Sequence, residues 1–253
     1  MTSLHPDFLS RPLAHRGLHD KAIPENSLAA AEAAIASGFG IELDIQPAAD
    51  GTPMVFHDYD LTRLAGDEGF LADMSPDELA EFRLGNSEER IPRFADYLRR
   101  IGGRVPLLIE IKDQDGRLGD QIGELHLRVA EVLQPYDGPI AVMSFNPHVV
   151  AAFHTAAPEI PCGLVSCDFN DDDWPMIDDE TREKLAALKD FDDSGASFIS
   201  HSHNDLSNPA VRALAQRGVP ILSWTIRSAE EEAVARRVAS NITFEGYHPA
   251  TPE

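Results

Sequence analysis

Short apolar runs alternate with helical patterns along the whole chain. Runs at 11–16, 40–46, 107–112, 140–145, 161–166, 197–201, 221–226 and 241–245 read as strands, with helical patterns between most pairs. Asn26-Ser27 precedes the alanine-rich segment 28–37, and Gly38 follows it, which predicts a capped helix ended by glycine. Strands alternating with helices in this way predict a (β/α)8 TIM barrel over an open doubly wound sheet. No G-x-G-x-x-G loop follows the first run, which weakens a nucleotide-binding reading. The apolar run 53–58 stands apart. Only Ala49-Asp50-Gly51-Thr52 leads into it, too short for a parallel crossover, so it returns as a β-hairpin after the second strand. Asp50-Gly51 suits a two-residue type I′ turn, and a turn centred there sets His57 opposite Asp44.

The polar positions inside these runs carry the chemistry. Side chains alternate faces along a strand, so Glu42 and Asp44 point the same way, as do Glu110 and Lys112. A buried carboxylate without a partner costs several kcal/mol. Three acids at strand ends, Glu42, Asp44 and Glu110, therefore point to a shared cation. All-oxygen ligation favours a hard ion, Mg2+ or Ca2+. With His15, these residues fall at the C-terminal ends of their strands, where barrel active sites are built.

Residues 58–89 form the longest stretch without a core strand. Ser75-Pro76-Asp77-Glu78 reads as a helix start with proline at its first position. We expect a small insertion at the barrel mouth within one domain spanning 1–253. The formal charge of -22 repels nucleic acid and anionic membrane surfaces. A small molecule is the expected partner. Arg16, Lys112 and a bound divalent ion would make the site locally positive for phosphate. No apolar run approaches the roughly 18 residues a membrane-spanning helix needs. The start of the chain lacks a basic, then apolar, secretory pattern. With only Cys162 and Cys167 in the chain, a cytoplasmic location is expected.

The set His15-Arg16-Gly17, Pro24-Glu25-Asn26-Ser27, Glu42-Leu43-Asp44-Ile45-Gln46, Asp50-Gly51, Val55-Phe56-His57-Asp58 and Glu110-Ile111-Lys112 resembles the glycerophosphodiester phosphodiesterase family. Ser144-Phe145 and Ser223-Trp224-Thr225 are weaker matches. The resemblance implies a metal-dependent barrel carrying an insertion, with His15 and His57 as acid and base. It implies hydrolysis of a glycerophosphodiester to glycerol 3-phosphate and an alcohol, and it leaves open which histidine takes which role. Arg16 and Lys112 would then contact the phosphate. Trp224 is either core packing or a face for a choline headgroup. The family usually closes on Ile-Thr-Asp-x-Pro, whereas this chain reads Ile242-Thr243-Phe244-Glu245-Gly246.

Other clusters read as structural. Glu25 and Asn26 would cap the first helix and brace its loop. His201-x-His203 lacks a third metal ligand at usable spacing. The acidic run Asp168 to Glu180 begins like a calcium loop, but Asp173 stands where glycine is required and Asp179 where the bidentate glutamate belongs. It reads as a solvated mouth loop. Two rival functions remain at this level: a lipid-directed phosphodiesterase and a non-catalytic phosphodiester-binding barrel. No cluster of exposed aromatic or basic residues suggests membrane docking.

Overall fold

The computed structural model of the chain describes residues 2–250. Its strands are β1 (Leu13–Ala14), β2 (Gly40–Pro47), β3 (Pro53–Val55), β4 (Leu107–Ile111), β5 (Ile140–Ser144), β6 (Cys162–Ser166), β7 (Phe198–Ser202), β8 (Ile221–Ile226) and β9 (Asn241–Phe244). All except β3 run parallel to their neighbours, and β1 pairs with both β2 and β9, closing an eight-stranded barrel. The helices are α1 (Asp7–Ser10), α2 (Leu28–Ala36), α3 (Thr62–Ala65), α4 (Pro76–Leu79), α5 (Phe94–Ile101), α6 (Leu125–Leu133), α7 (Pro147–Ala156), α8 (Asp179–Ala186), α9 (Pro209–Gln216) and α10 (Ala229–Ala235). The expected (β/α)8 architecture is present. Among the described residues no helix is long and apolar enough to cross a membrane.

Alternation along the strands separates two environments. Ile41, Leu43 and Ile45 of β2 and Leu107, Ile109 and Ile111 of β4 join the apolar layer beneath the helices. Between them, Leu108 faces the barrel interior with Leu13, Ala141, Val165, Phe198 and Leu222, and Leu4 and Phe8 plug the base. Gly163 makes room there, since a Cβ would meet the Phe198 ring at 2.5 Å. The upper interior is polar. An apolar floor thus holds a charged mouth.

The loop after β1 turns sharply. Arg16 and Gly17 have φ of +54° and +80°, and a Cβ on Gly17 would lie 2.8 Å from that of Ala30. Glycine lets this turn pack directly on α2. Ser27 caps α2 by accepting from Ala30 N–H, and Gly38 follows its end with φ of +77°.

The hairpin differs from the expected register. Ile45 faces Val55 and Pro47 faces Pro53, so the connection is a five-residue loop, 48–52, and not a two-residue turn. Asp50 Oδ1 accepts from Thr52 N–H at 2.9 Å, and Gly51 N–H donates to Ala48 O at 2.9 Å. This side-chain turn favours the wider loop. Extending the register puts Phe56 opposite Asp44, with Phe56 N–H donating to Asp44 O at 3.0 Å. His57 reaches the mouth because the strand has already ended. Between β3 and α5 the chain forms short helices and irregular turns. Leu61, Leu71, Leu79, Leu84 and Ile91 pack there on Met54 and Phe56 as a small separate core. Ser75 and Glu78 form a capping box on α4, with Pro76 at its first position.

Candidate active site

Glu42, Asp44 and Glu110 converge at the mouth, with one oxygen of each within 4.8 Å of the others. β2 and β4 pair Asp44 directly with Glu110. Lys112 Nζ bridges these two at 2.7 Å each. Burial pulls Asp44 upward, but Lys112, His57 and Arg16 outweigh it and hold its carboxyl far below the ordinary range. Glu42 goes the other way: burial, then Asp44 and Glu110, push it well above the ordinary value. Arg16 N–H donates to Glu42 Oε2 at 3.0 Å, which does not offset this. A buried carboxylate so destabilised, beside two more, is a donor set that a divalent cation would complete.

Both histidines lean on acids. His15 Nδ1 lies 2.7 Å from Glu245 Oε2, and His57 Nδ1 lies 2.7 Å from Asp58 Oδ1. The bond to His15 helps hold Glu245 down to about 2, against its partial burial, so it is ionised and accepts. Asp58 is likewise held low, by His57 and Arg63 against burial. An ionised carboxylate cannot donate, so both rings carry a proton on Nδ1 and turn Nε2 elsewhere. Nε2 of His15 stands 4.0 Å from Glu42 Oε2. Burial lowers His15 below the usual imidazole value, although the Glu245 bond opposes the shift.

A chain of ion pairs ties the insertion to the barrel. Arg63 Nε donates to Asp58 at 2.7 Å, and its two terminal nitrogens clasp Glu25 at 2.6 and 2.9 Å. Glu25 also receives Arg16 Nη1 at 2.7 Å. Glu25 therefore links the two arginines and does not cap α2. Asn26 braces the metal-type cluster instead, donating Nδ2 to Asp44 Oδ2 at 2.9 Å and accepting from Asp44 N–H at 3.3 Å.

Two adjoining cavities open at this mouth. The inner, about 230 Å³, is lined by His15, Arg16, Glu42, Asp44 and Trp224 among others. The outer, about 510 Å³, is lined by Tyr59, Asp113, Leu118, Trp174, Met176 and Ile177 among others. His57, Glu110, Lys112 and Phe145 border both. Trp224 spends its indole N–H on Ser200 O at 2.9 Å and meets Phe145 edge-on at 5.7 Å. The 167–178 loop is not simply solvated: Phe169 and Ile177 are buried, and Trp174 packs 5.1 Å from Phe145. His201 is buried with Nδ1 on Ser166 and Nε2 on Asp205, both nitrogens occupied.

The structure thus gathers every site residue expected from the sequence around one mouth. It adds Arg63 and Trp174, which no motif signalled, and gives contacts to Asp58 and Phe145, which stood in the family-like motifs without an assigned role. Glu245 had a signal, its position on the divergent last strand.

This site sits in a recognisable lineage. Residues 15–241 match the glycerophosphoryl diester phosphodiesterase family, and the chain belongs to it. YhdW of Bacillus subtilis is 27% identical over 230 residues, covering 87% of this chain and 88% of that protein. The glycerophosphodiester phosphodiesterase of Caldanaerobacter subterraneus is 26% identical over 226 residues, covering 87% of this chain and 86% of its own. An Oleispira antarctica phosphodiesterase, solved with its product sn-glycerol-3-phosphate, superposes with a TM-score of 0.76 at 23% identity, covering 94% of this chain and 93% of that one.

Proposed function

We propose that this chain hydrolyses glycerophosphodiesters to glycerol 3-phosphate and an alcohol, with Glu42, Asp44 and Glu110 holding one Mg2+ or Ca2+. The observation that carries the reading is the pair of carboxylate-anchored histidines at one pocket with the three buried acids. A binding module would need no such pair. Three oxygen donors suit a hard cation. Bound there, the ion supplies Lewis-acid polarisation of a phosphoryl oxygen. Arg16 and Lys112 offer N–H donors to the other oxygens as charge builds in the transition state.

His15 is the general base. Burial keeps it neutral, and Glu245 fixes its proton on Nδ1, so Nε2 takes the proton of the attacking hydroxyl. His57 is the general acid. It borders both cavities, so a leaving alcohol lodged in the outer one has its departing oxygen beside this ring. The inner cavity takes the glycerol phosphate half, the product that the Oleispira relative holds. Trp224 then walls the glycerol side with an apolar face. The headgroup role falls to Trp174 and Phe145, among Asp58, Asp60 and Asp173, which suit an alcohol bearing an ammonium group. The free, buried Cys162 and Cys167 support a cytoplasmic location.

The test is release of glycerol 3-phosphate from glycerophosphocholine. Turnover should require Mg2+ or Ca2+ and stop on chelation. Full turnover in chelated protein, or none with either ion, would overturn the reading.

A further inference from the structure

A second group of ligand-type side chains lies beside the site. One ring nitrogen each of His15 and His19 and a carboxylate oxygen of Glu245 lie within 4.8 Å of one another. His19 follows the sharp turn at Arg16–Gly17, where its N–H donates to Gly17 O at 3.0 Å. That turn brings its ring to the same mouth as the end of β9. His19 Nε2 is buried with no hydrogen-bond partner among the described residues, although an imidazole nitrogen ordinarily finds one. Glu245 is ionised and already on His15 Nδ1. Arg227, 57% exposed, stands 3.7 Å from the same oxygen and donates Nη1 to Thr225 O at 3.4 Å.

We propose that His15, His19 and Glu245 form a site for a borderline transition-metal ion such as Zn2+, separate from the Glu42, Asp44 and Glu110 cluster, and that its occupation switches catalysis off. The two donor sets differ in kind. Three carboxylates suit a hard ion, whereas two imidazoles with one carboxylate suit Zn2+, with a fourth position left to water.

The effect on catalysis follows from one proton. Neutral His15 has a single ring proton, held on Nδ1 by Glu245. Metal ligation at Nδ1 needs the lone pair there, so that proton passes through solvent to Nε2. Nε2 then presents an N–H where a base needs a lone pair. No net proton is gained or lost, and the base becomes a donor. This consequence rests on His15 being the base; the site itself does not.

His19 takes no part in the proposed chemistry, so it separates the two claims. Co2+ is the spectroscopic probe: added to Mg2+-loaded protein, it should give visible d–d absorption of a low-coordinate nitrogen–oxygen site. His19→Ala and the milder His19→Gln should each abolish it. In parallel, Zn2+ titrated against excess Mg2+ should inhibit phosphodiester turnover. Both variants should keep uninhibited turnover while resisting Zn2+ at least tenfold better. A Co2+ spectrum unchanged in both variants would overturn the site, whatever the activity. Zn2+ inhibition that both variants retain and Mg2+ relieves would place the zinc on the carboxylate cluster and overturn the switch. A Co2+ spectrum lost in the variants, from a protein without turnover, would support the site and count against the hydrolase reading.

Discussion

The two catalytic-type histidines have the same local geometry and opposite settings. Each Nδ1 lies 2.7 Å from a carboxylate oxygen. His15 extends a barrel strand, its side chain is 15% exposed, and its acid arrives from the last strand, 230 residues away. His57 follows a hairpin, is 31% exposed, and pairs with the next residue, which Arg63 then ties to Glu25. One ring is set by closure of the barrel, the other by the hairpin and the insertion beyond it. The contrast fits the division of labour proposed above: a base in the inner cavity, and an acid beside the cavity proposed for the leaving group.

The largest effects should come from the rings themselves. General acid–base groups each contribute about 10² to 10⁴ in rate. His15→Ala and His57→Ala should each lower kcat on glycerophosphocholine by that much, with metal affinity by calorimetry little changed. If His57→Ala loses metal as severely as Asp44→Ala, His57 is a ligand and the comparison breaks.

Their carboxylate partners should matter less. Loss of a group that orients a catalytic side chain costs about 10 to 100-fold in activity. Glu245→Gln and Asp58→Asn should lower kcat in that range while KM holds. Asp58→Asn should also free Arg63, which limited proteolysis of the 58–89 segment would detect as faster cleavage. Glu245→Gln should leave that segment unchanged. Equal effects on the insertion would mean that the two supports are not separate.

The pH profile sharpens the comparison with a shift in place of a loss. The base must be neutral, so the acidic limb of kcat/KM reports its titration. Burial lowers His15, so the limb should lie below the ordinary 6.5. Glu245 opposes that shift, so Glu245→Gln should move the limb further toward acid. A limb above 6.5, or a move toward base, would contradict the assignment.

The smallest effects should come from the aromatic walls. A cation–π contact is worth about 0.5 to 2 kcal/mol, roughly twofold to thirtyfold. Trp174→Ala should reduce kcat/KM for glycerophosphocholine within that range and spare glycerophosphoglycerol. Trp224→Ala should reduce both alike, because it lines the inner cavity proposed for the shared glycerol half. The reverse pattern would exchange the roles of the two cavities.

How much of this was legible in the chain follows the same divide. Glu42, Asp44, Glu110 and Lys112 stood out because charged residues interrupt strands that are otherwise apolar, and period-2 alternation set them on one face. The barrel was legible for the same reason, strand after strand. The hairpin register was not. Asp50-Gly51 is the residue pair of a tight turn, yet Asp50 spends its side chain on Thr52 N–H and widens the loop to five residues. That single-residue difference moved Phe56, not His57, opposite Asp44. The Arg63–Glu25 clasp and the Trp174–Phe145 wall join segments far apart in sequence with no periodic signal. Only the finished fold brings them together.

The division between the two histidines is tested most directly by the leaving group. A phosphodiester whose alcohol is an activated phenol leaves without taking a proton, so it needs no general acid. On that substrate His57→Ala should recover most of its lost rate relative to the unsubstituted enzyme, whereas His15→Ala should recover none. Rescue of His15→Ala with none for His57→Ala would reverse the assignment of base and acid. Rescue of neither would contradict the acid–base account.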